Sequence, residues 1–205
     1  MGCDSERWAA RPAMPPASRL PVARLSAACS ARWRVGGPDV QRVQRIEPSP
    51  GQESVWDYPR PPRLDPTTSL IRVVHAGHTV AETRSAIRVL ETSQPPAYYL
   101  PPSDVDLSVL VPSASRTYCE WKGQASYVDL AVAGTPVVRD AAWRYEDPML
   151  SFTPIAGWLA FYAQRVDECW VDDEQVRPNE GGFYGGWITS KVVGPFKGGP
   201  GTLGW

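Results

Sequence analysis

Thr117-Tyr-Cys-Glu-Trp-Lys-Gly-Gln-Ala-Ser-Tyr-Val-Asp-Leu130 decides the fold. Side chains on a strand alternate between two faces, so a period of two signals a half-buried strand. Tyr118, Glu120 and Lys122 alternate with Cys119 and Trp121, and Ala125, Tyr127 and Asp129 alternate with Ser126, Val128 and Leu130. Gly123-Gln124 between them offers a bend, which predicts a β-hairpin with Cys119 and Trp121 on one face and Glu120 and Lys122 on the other.

Strand patterns continue on both sides. Upstream, Leu70 to Val74, Thr79 to Thr83 and Ala86 to Glu91 are rich in β-branched residues, with His75-Ala-Gly-His78 as a turn between the first two. Downstream, Thr135 to Tyr145 is a strand with Trp143 and Tyr145 opposite Arg144, and Ile155 to Tyr162 is an apolar strand or short helix. Glu168 to Val176 is a hairpin turning at Asp172-Asp173, a pair suited to tight turns. The prolines of Glu53-Ser-Val-Trp-Asp-Tyr-Pro-Arg-Pro-Pro62 enforce an extended segment, with Trp56 and Tyr58 strapped against the body. The fold class is therefore mainly β.

Composition bounds the function. The chain has 205 residues and a net charge of −1, against the strong basic excess that a nucleic-acid or membrane surface demands. Residues 1–50 hold eight Arg against four acids and seven prolines without periodicity, which predicts a disordered basic tail, and residues 51–205 form one β domain. The tail leaves open a second reading, a basic arm that recruits an acidic partner or nucleic acid. Cysteines 3, 29, 119 and 169 share no short spacing, no secretory signal is evident, and no apolar run reaches membrane length, so free thiols and a cytoplasmic location are expected. His75 and His78 have a spacing that could suit a metal but lack a third ligand, so no metal site is expected.

Ser103-Asp-Val-Asp106 supports two readings. On a strand, Asp104 and Asp106 would share a face and could hold Mg²⁺ for nucleotidyl transfer. On one short helix near residues 104–110, Ser103 is the N-cap and both acids complement the positive helix end. The Gly-Ser turn that a nucleotidyltransferase would carry upstream is missing. The glycines around Gly181-Gly-Phe-Tyr-Gly-Gly-Trp187 and Phe196-Lys-Gly-Gly199 lack the strand, order and helix of a phosphate loop and read as structural or flexible.

Thirteen of the twenty-one aromatics lie between Tyr118 and Trp187, and Trp121, Trp143, Trp170 and Trp187 sit near strand ends, where a pocket can open. From about Glu53 to Trp205 the chain resembles a bacterial family, the domain of unknown function numbered 427, which also carries a nucleotidyltransferase label, and several stretches carry the resemblance. They are Ser54-Val-Trp-Asp-Tyr-Pro-Arg-Pro-Pro62, Glu91-Thr-Ser-Gln-Pro-Pro-Ala-Tyr-Tyr-Leu-Pro-Pro-Ser-Asp-Val105, Cys119-Glu-Trp-Lys-Gly-Gln-Ala-Ser-Tyr127, Ala142-Trp-Arg-Tyr145, Gly157-Trp-Leu-Ala-Phe-Tyr162 and Gly182-Phe-Tyr-Gly-Gly-Trp-Ile-Thr189. The resemblance implies a compact antiparallel domain of tent-like topology, similar to methionine sulfoxide reductase B and to the thalidomide-binding domain of cereblon. Zinc knuckles of such relatives need Cys-x-x-Cys pairs, and this chain has none. The reductase likeness points to Cys119 as a reactive thiol beside Lys122 or Arg144, against an inert strand cysteine. The cereblon likeness implies a tryptophan cage.

Two functions follow as expectations. One is a binding domain without cofactor, with Trp121, Trp143, Tyr145 and Tyr162 lining a pocket for a small planar or cationic ligand and Glu120 and Lys122 as polar determinants. The other is a nucleotide-directed enzyme with Asp104 and Asp106 on Mg²⁺ and Lys122 on a phosphate.

Overall fold

The Thr117–Leu130 stretch folds as a hairpin whose bend lies earlier than the glycine suggests. In the computed structural model, which describes residues 43–205, Leu110–Cys119 pairs antiparallel with Gly123–Leu130, and Cys119 faces Gly123 directly. Glu120, Trp121 and Lys122 therefore form a three-residue loop. Gly123 closes it at φ +94, a conformation that a Cβ opposes and that three-residue hairpins place after their turn. The expected split of Glu120 and Lys122 from Cys119 and Trp121 is thus corrected, because loop residues do not alternate.

Val138–Arg144 and Ala160–Phe161 extend this pair into a four-stranded antiparallel sheet. A second such sheet runs in the order Glu174–Gln175, Glu168–Val171, Ile71–His75 and His78–Thr83. Its turns match the sequence: Ala76 and Gly77 both take positive φ, 52 and 73, between His75 and His78, and Asp172 turns at φ 55. Arg63–Pro66, Ile87–Leu90 and Ala97–Tyr99 make a third, three-stranded sheet. Glu53–Ser54 pairs parallel with Val192–Val193, and Arg177–Pro178 pairs with Trp187–Ile188. The fold is mainly β, as the patterning predicts.

Alternation on the hairpin sheet separates two cores. Val128, Leu130 and Ala142 face an aliphatic core with Ile71, Val73 and Phe161. Ala125, Tyr127, Trp143 and Tyr145 face an aromatic cluster completed by Tyr99 and Tyr162. Trp187 belongs to the aliphatic side, where it is 1% exposed, stacks on Tyr98 and donates its indole N–H to the Phe161 carbonyl at 2.9 Å. Trp170 lies on the second sheet under the Arg72 guanidinium.

The helical segment expected near 104–110 takes the form of two single 3-10 turns, Pro102–Asp104 and Leu107–Val109, and Ser103 is not its N-cap: it lies inside the first turn, while Asp106 caps the second. Val105 between them bridges to Ala81, and the Asp106 backbone N–H donates to the Val80 carbonyl, which holds the run against the second sheet instead of letting it coil. Glu53 to Pro62 straps the body, with Tyr58 buried and the Trp56 indole donating to the Pro195 carbonyl at 2.8 Å, but it is not extended throughout: Val55–Asp57 forms a 3-10 turn capped by the Ser54 hydroxyl, before the prolines begin. The expected tail falls for residues 1–42 outside the described residues; in its described part Arg45 pairs with Asp57 at 3.5 Å and the Ile46 N–H donates to the Gly194 carbonyl. Among the described residues no helix is long and apolar enough to cross a membrane.

Candidate functional site

The displaced bend carries Trp121 and Lys122 to the aromatic cluster, where they help wall a cavity of about 420 Å³. Glu120, Trp121, Lys122, Cys119, Trp143, Tyr145 and Tyr162, named from the sequence as candidates, all line this one hollow. Lys122 is only 8% exposed, whereas Glu120 is exposed at the mouth. Tyr118, 71% exposed, and Phe183, 60% exposed, stand at the rim.

The wall is held rigidly. Trp143 donates its indole N–H to the Tyr99 hydroxyl at 2.9 Å, and both rings are buried. The Tyr162 ring lies 4.5 Å from the Trp143 ring, and its hydroxyl donates to the Phe183 carbonyl at 3.1 Å, tying the wall to a loop that roofs the cavity. That loop lies so close that a Cβ on Gly185 would collide with the six-membered ring of Trp143, and one on Gly186 would strike the Pro95 carbonyl. Only glycine permits such an approach. Burial pushes the Tyr99, Tyr145 and Tyr162 hydroxyls well above the usual phenol range, so all three stay neutral.

Charge enters the hollow at a few points. The Lys122 ammonium lies 5.9 Å from the centre of the Tyr145 ring and 5.7 Å from that of Phe152. Glu91, mostly buried, also lines the hollow. Burial pushes its carboxyl above the ordinary range, and Lys122, Arg60 and Lys197 oppose that rise in that order. Arg60 approaches Glu91 to 3.7 Å. Lys197 donates to the Trp205 carbonyl at 2.9 Å and lies against the Tyr184 ring. The buried Trp121 indole N–H finds no acceptor among the described residues. Beyond Tyr162 and Phe183, a second hollow of about 310 Å³ is edged by Arg116 and Arg165.

Asp104 and Asp106 lie elsewhere, and neither borders the cavity. The Asp104 carboxylate accepts from the Thr83 hydroxyl at 2.5 Å and from Ser103. Asp106 caps the second 3-10 turn, accepting from the Ser108 N–H and hydroxyl, and contacts His78 at 2.8 Å; these bonds hold its carboxyl below the usual range. His75 pairs with Asp167. Among the described residues no group of three His, Cys, Asp or Glu could hold a metal ion. Cys119 and Cys169 are both free thiols: Cys119 borders the cavity, and Cys169 is buried on the aliphatic side, where desolvation pushes its thiol up.

Sequence reasoning missed Glu91, Tyr99, Lys197 and the Phe183–Gly186 roof. A usable signal for the roof was present, because two aromatic residues between glycine pairs mark a loop that closes on a surface as well as they mark a flexible one.

Residues 63–172, more than half of the chain, match the model of a family described as "Domain of unknown function (DUF427)". No curated protein matches the chain. The matched span contains the hairpin loop, Glu91 and the Trp143–Tyr162 wall, whereas the roof and Lys197 lie beyond it.

Proposed function

The chain belongs to the DUF427 family of domains of unknown function, and from that premise we propose that its aromatic-lined cavity binds a small planar ligand. Packing carries this reading. Rings that serve only as core interdigitate to near-crystalline density and leave few voids larger than a water molecule. Here Trp143, Tyr162, Tyr145 and Trp121 border about 420 Å³ of unfilled space that reaches the surface, a size within the ordinary range of ligand sites. A planar group fits between such faces by offset or edge-to-face contact. The ring hydroxyls are neutral, and the lysines supply the positive charge, so the planar half of the expectation is favoured over the cationic half.

The nucleotidyl-transfer reading draws no support from the same geometry, since Asp104 and Asp106 are each committed to local bonds away from the hollow. Ligand-observed NMR with a panel of mono- and bicyclic aromatic fragments tests the proposal. Binding is expected for the wild type and a loss of at least tenfold for Trp143→Ala. If no fragment binds, or if fragments bind both proteins alike, the cavity is not a ligand site.

A further inference from the structure

Resting on the reading of the cavity as a site for planar ligands, we infer that the ligand is an anion whose carboxylate or similar oxoanion pairs with Lys122. Lysine is almost never buried without a partner. Lys122 is 8% exposed as a residue and its ammonium opens onto the hollow, where among the described residues no carboxylate lies within 4 Å of it and no acceptor takes a hydrogen bond from it. Its nearest company is the faces of Tyr145 and Phe152, which attract a cation without neutralising it.

The other charged groups at the hollow are already committed. Glu91 has Arg60 at 3.7 Å and feels the Lys122 charge more strongly than any other, although Lys122 does not come within ion-pair distance of it; Lys197 donates to the Trp205 carbonyl, and Glu120 is exposed at the mouth. The lining itself holds two lysines, Lys122 and Lys197, and two glutamates, Glu91 and Glu120, so the ammonium of Lys122, which has no ion-pair partner among the described residues, sets the preference rather than a net charge. A neutral ring would leave that ammonium without an ion-pair partner, and a cationic one would set a second positive charge beside it. A planar anion pairs with it, with the ring against Trp143 and Tyr162 and the oxoanion at the hairpin loop.

Three probes of one shape separate the possibilities: 2-naphthoate, 2-naphthamide and 2-naphthylmethylammonium, titrated by isothermal calorimetry into the full chain. We expect naphthoate to bind at least tenfold more tightly than the amide and the ammonium compound to bind worst. Lys122→Gln is expected to erase the gap between acid and amide, and Lys122→Arg to keep most of it. Comparison of the three probes on the wild type needs no variant and stands even if Lys122→Gln folds poorly. Amide binding equal to or tighter than the acid, or an acid preference that survives in a folded Lys122→Gln, overturns the anion while leaving the planar-ligand reading intact. Failure of all three probes, together with the fragment panel, removes both.

Discussion

The bond between Trp143 and Tyr99 is the clearest place to test whether the wall is a fixed platform. Trp143→Phe keeps an aromatic face but deletes the N–H that the Tyr99 hydroxyl accepts at 2.9 Å, and Tyr99 is 1% exposed, so water has little access to replace it. An unsatisfied buried hydroxyl costs about 1–3 kcal/mol, so Trp143→Phe should lose about 2 kcal/mol, including the packing of the missing ring. Tyr99→Phe leaves only an indole N–H unpaired, next to the cavity, and should lose about 1 kcal/mol. With both partners apolar nothing is orphaned, so the double variant should lose about 1 kcal/mol less than the sum of the singles. In a folded body of about 160 residues, 2 kcal/mol corresponds to roughly 4–8 °C in melting temperature. Urea denaturation followed by far-UV circular dichroism measures all four proteins without relying on tryptophan emission. Additivity within about 0.5 kcal/mol would mean that the two groups are not bonded, and the rigid wall would have to be abandoned.

Other perturbations have definite signs. Burial raises the Glu91 carboxyl above its ordinary value of 4.5, so the folded chain holds that proton more tightly than the unfolded chain; stability is therefore full below 4.5 and is lost as pH rises through the folded value. Glu91→Gln should melt higher than the wild type at pH 7 and almost identically at pH 4, and a lower melting temperature at pH 7 would refute the assignment. The Asp129 carboxylate, held below its ordinary 3.8 chiefly by the Asp140 N–H at 2.8 Å, contributes in the opposite sense: its share of stability is present above 3.8 and vanishes as pH falls through the folded value. Asp129→Asn should consequently destabilise at pH 7 with a gap that closes in acid, read from melts across pH. Gly185→Val forces the roof off Trp143 and should cost about 1–3 kcal/mol as well as weaken fragment binding; unchanged binding would place the ligand elsewhere. Under native alkylation with peptide mapping, Cys169 should stay unmodified until the chain unfolds, because it is 2% exposed and its thiol is pushed up.

The strands were legible because their signals are local. Ala76-Gly77 and Asp172-Asp173 fix two-residue turns through their own backbone preferences, and the branched runs from Ile71 to Leu90 need only a sheet to join. The hairpin bend was harder for a physical reason. A glycine at the tip of a two-residue loop and a glycine closing a three-residue loop leave the same letter in the sequence, and here cross-strand pairing of Thr117 with Ala125 and Cys119 with Gly123 decides between them. That choice turns Lys122 from a strand residue into a loop residue buried in a wall. The run at 102–109 misled in the same way, since capping residues are present but tertiary bridges from Val105 and Asp106 to the second sheet interrupt the coil after each turn.

The hollow was only half legible. Trp121, Lys122, Trp143 and Tyr162 announced themselves by type and clustering, whereas Glu91, Tyr99 and Gly185 join them through chain reversals that no short window encodes. Their assembly has an energetic consequence. The rings beside Trp143 lack packing partners on the side of the hollow, and the Lys122 ammonium has no carboxylate within 4 Å among the described residues, so two separate gains are open to a ligand at one place. A planar anion secures both at once by filling the void and pairing with the amine. It binds the folded chain alone, since the unfolded chain has no such site, and so stabilises by mass action, about 2.7 kcal/mol when present at a hundred times its dissociation constant. In this domain the upward shift of the melting curve should then follow the probe's charge, largest for naphthoate, smaller for its amide and smallest for the ammonium compound, and it should lose that order when Lys122 becomes Gln.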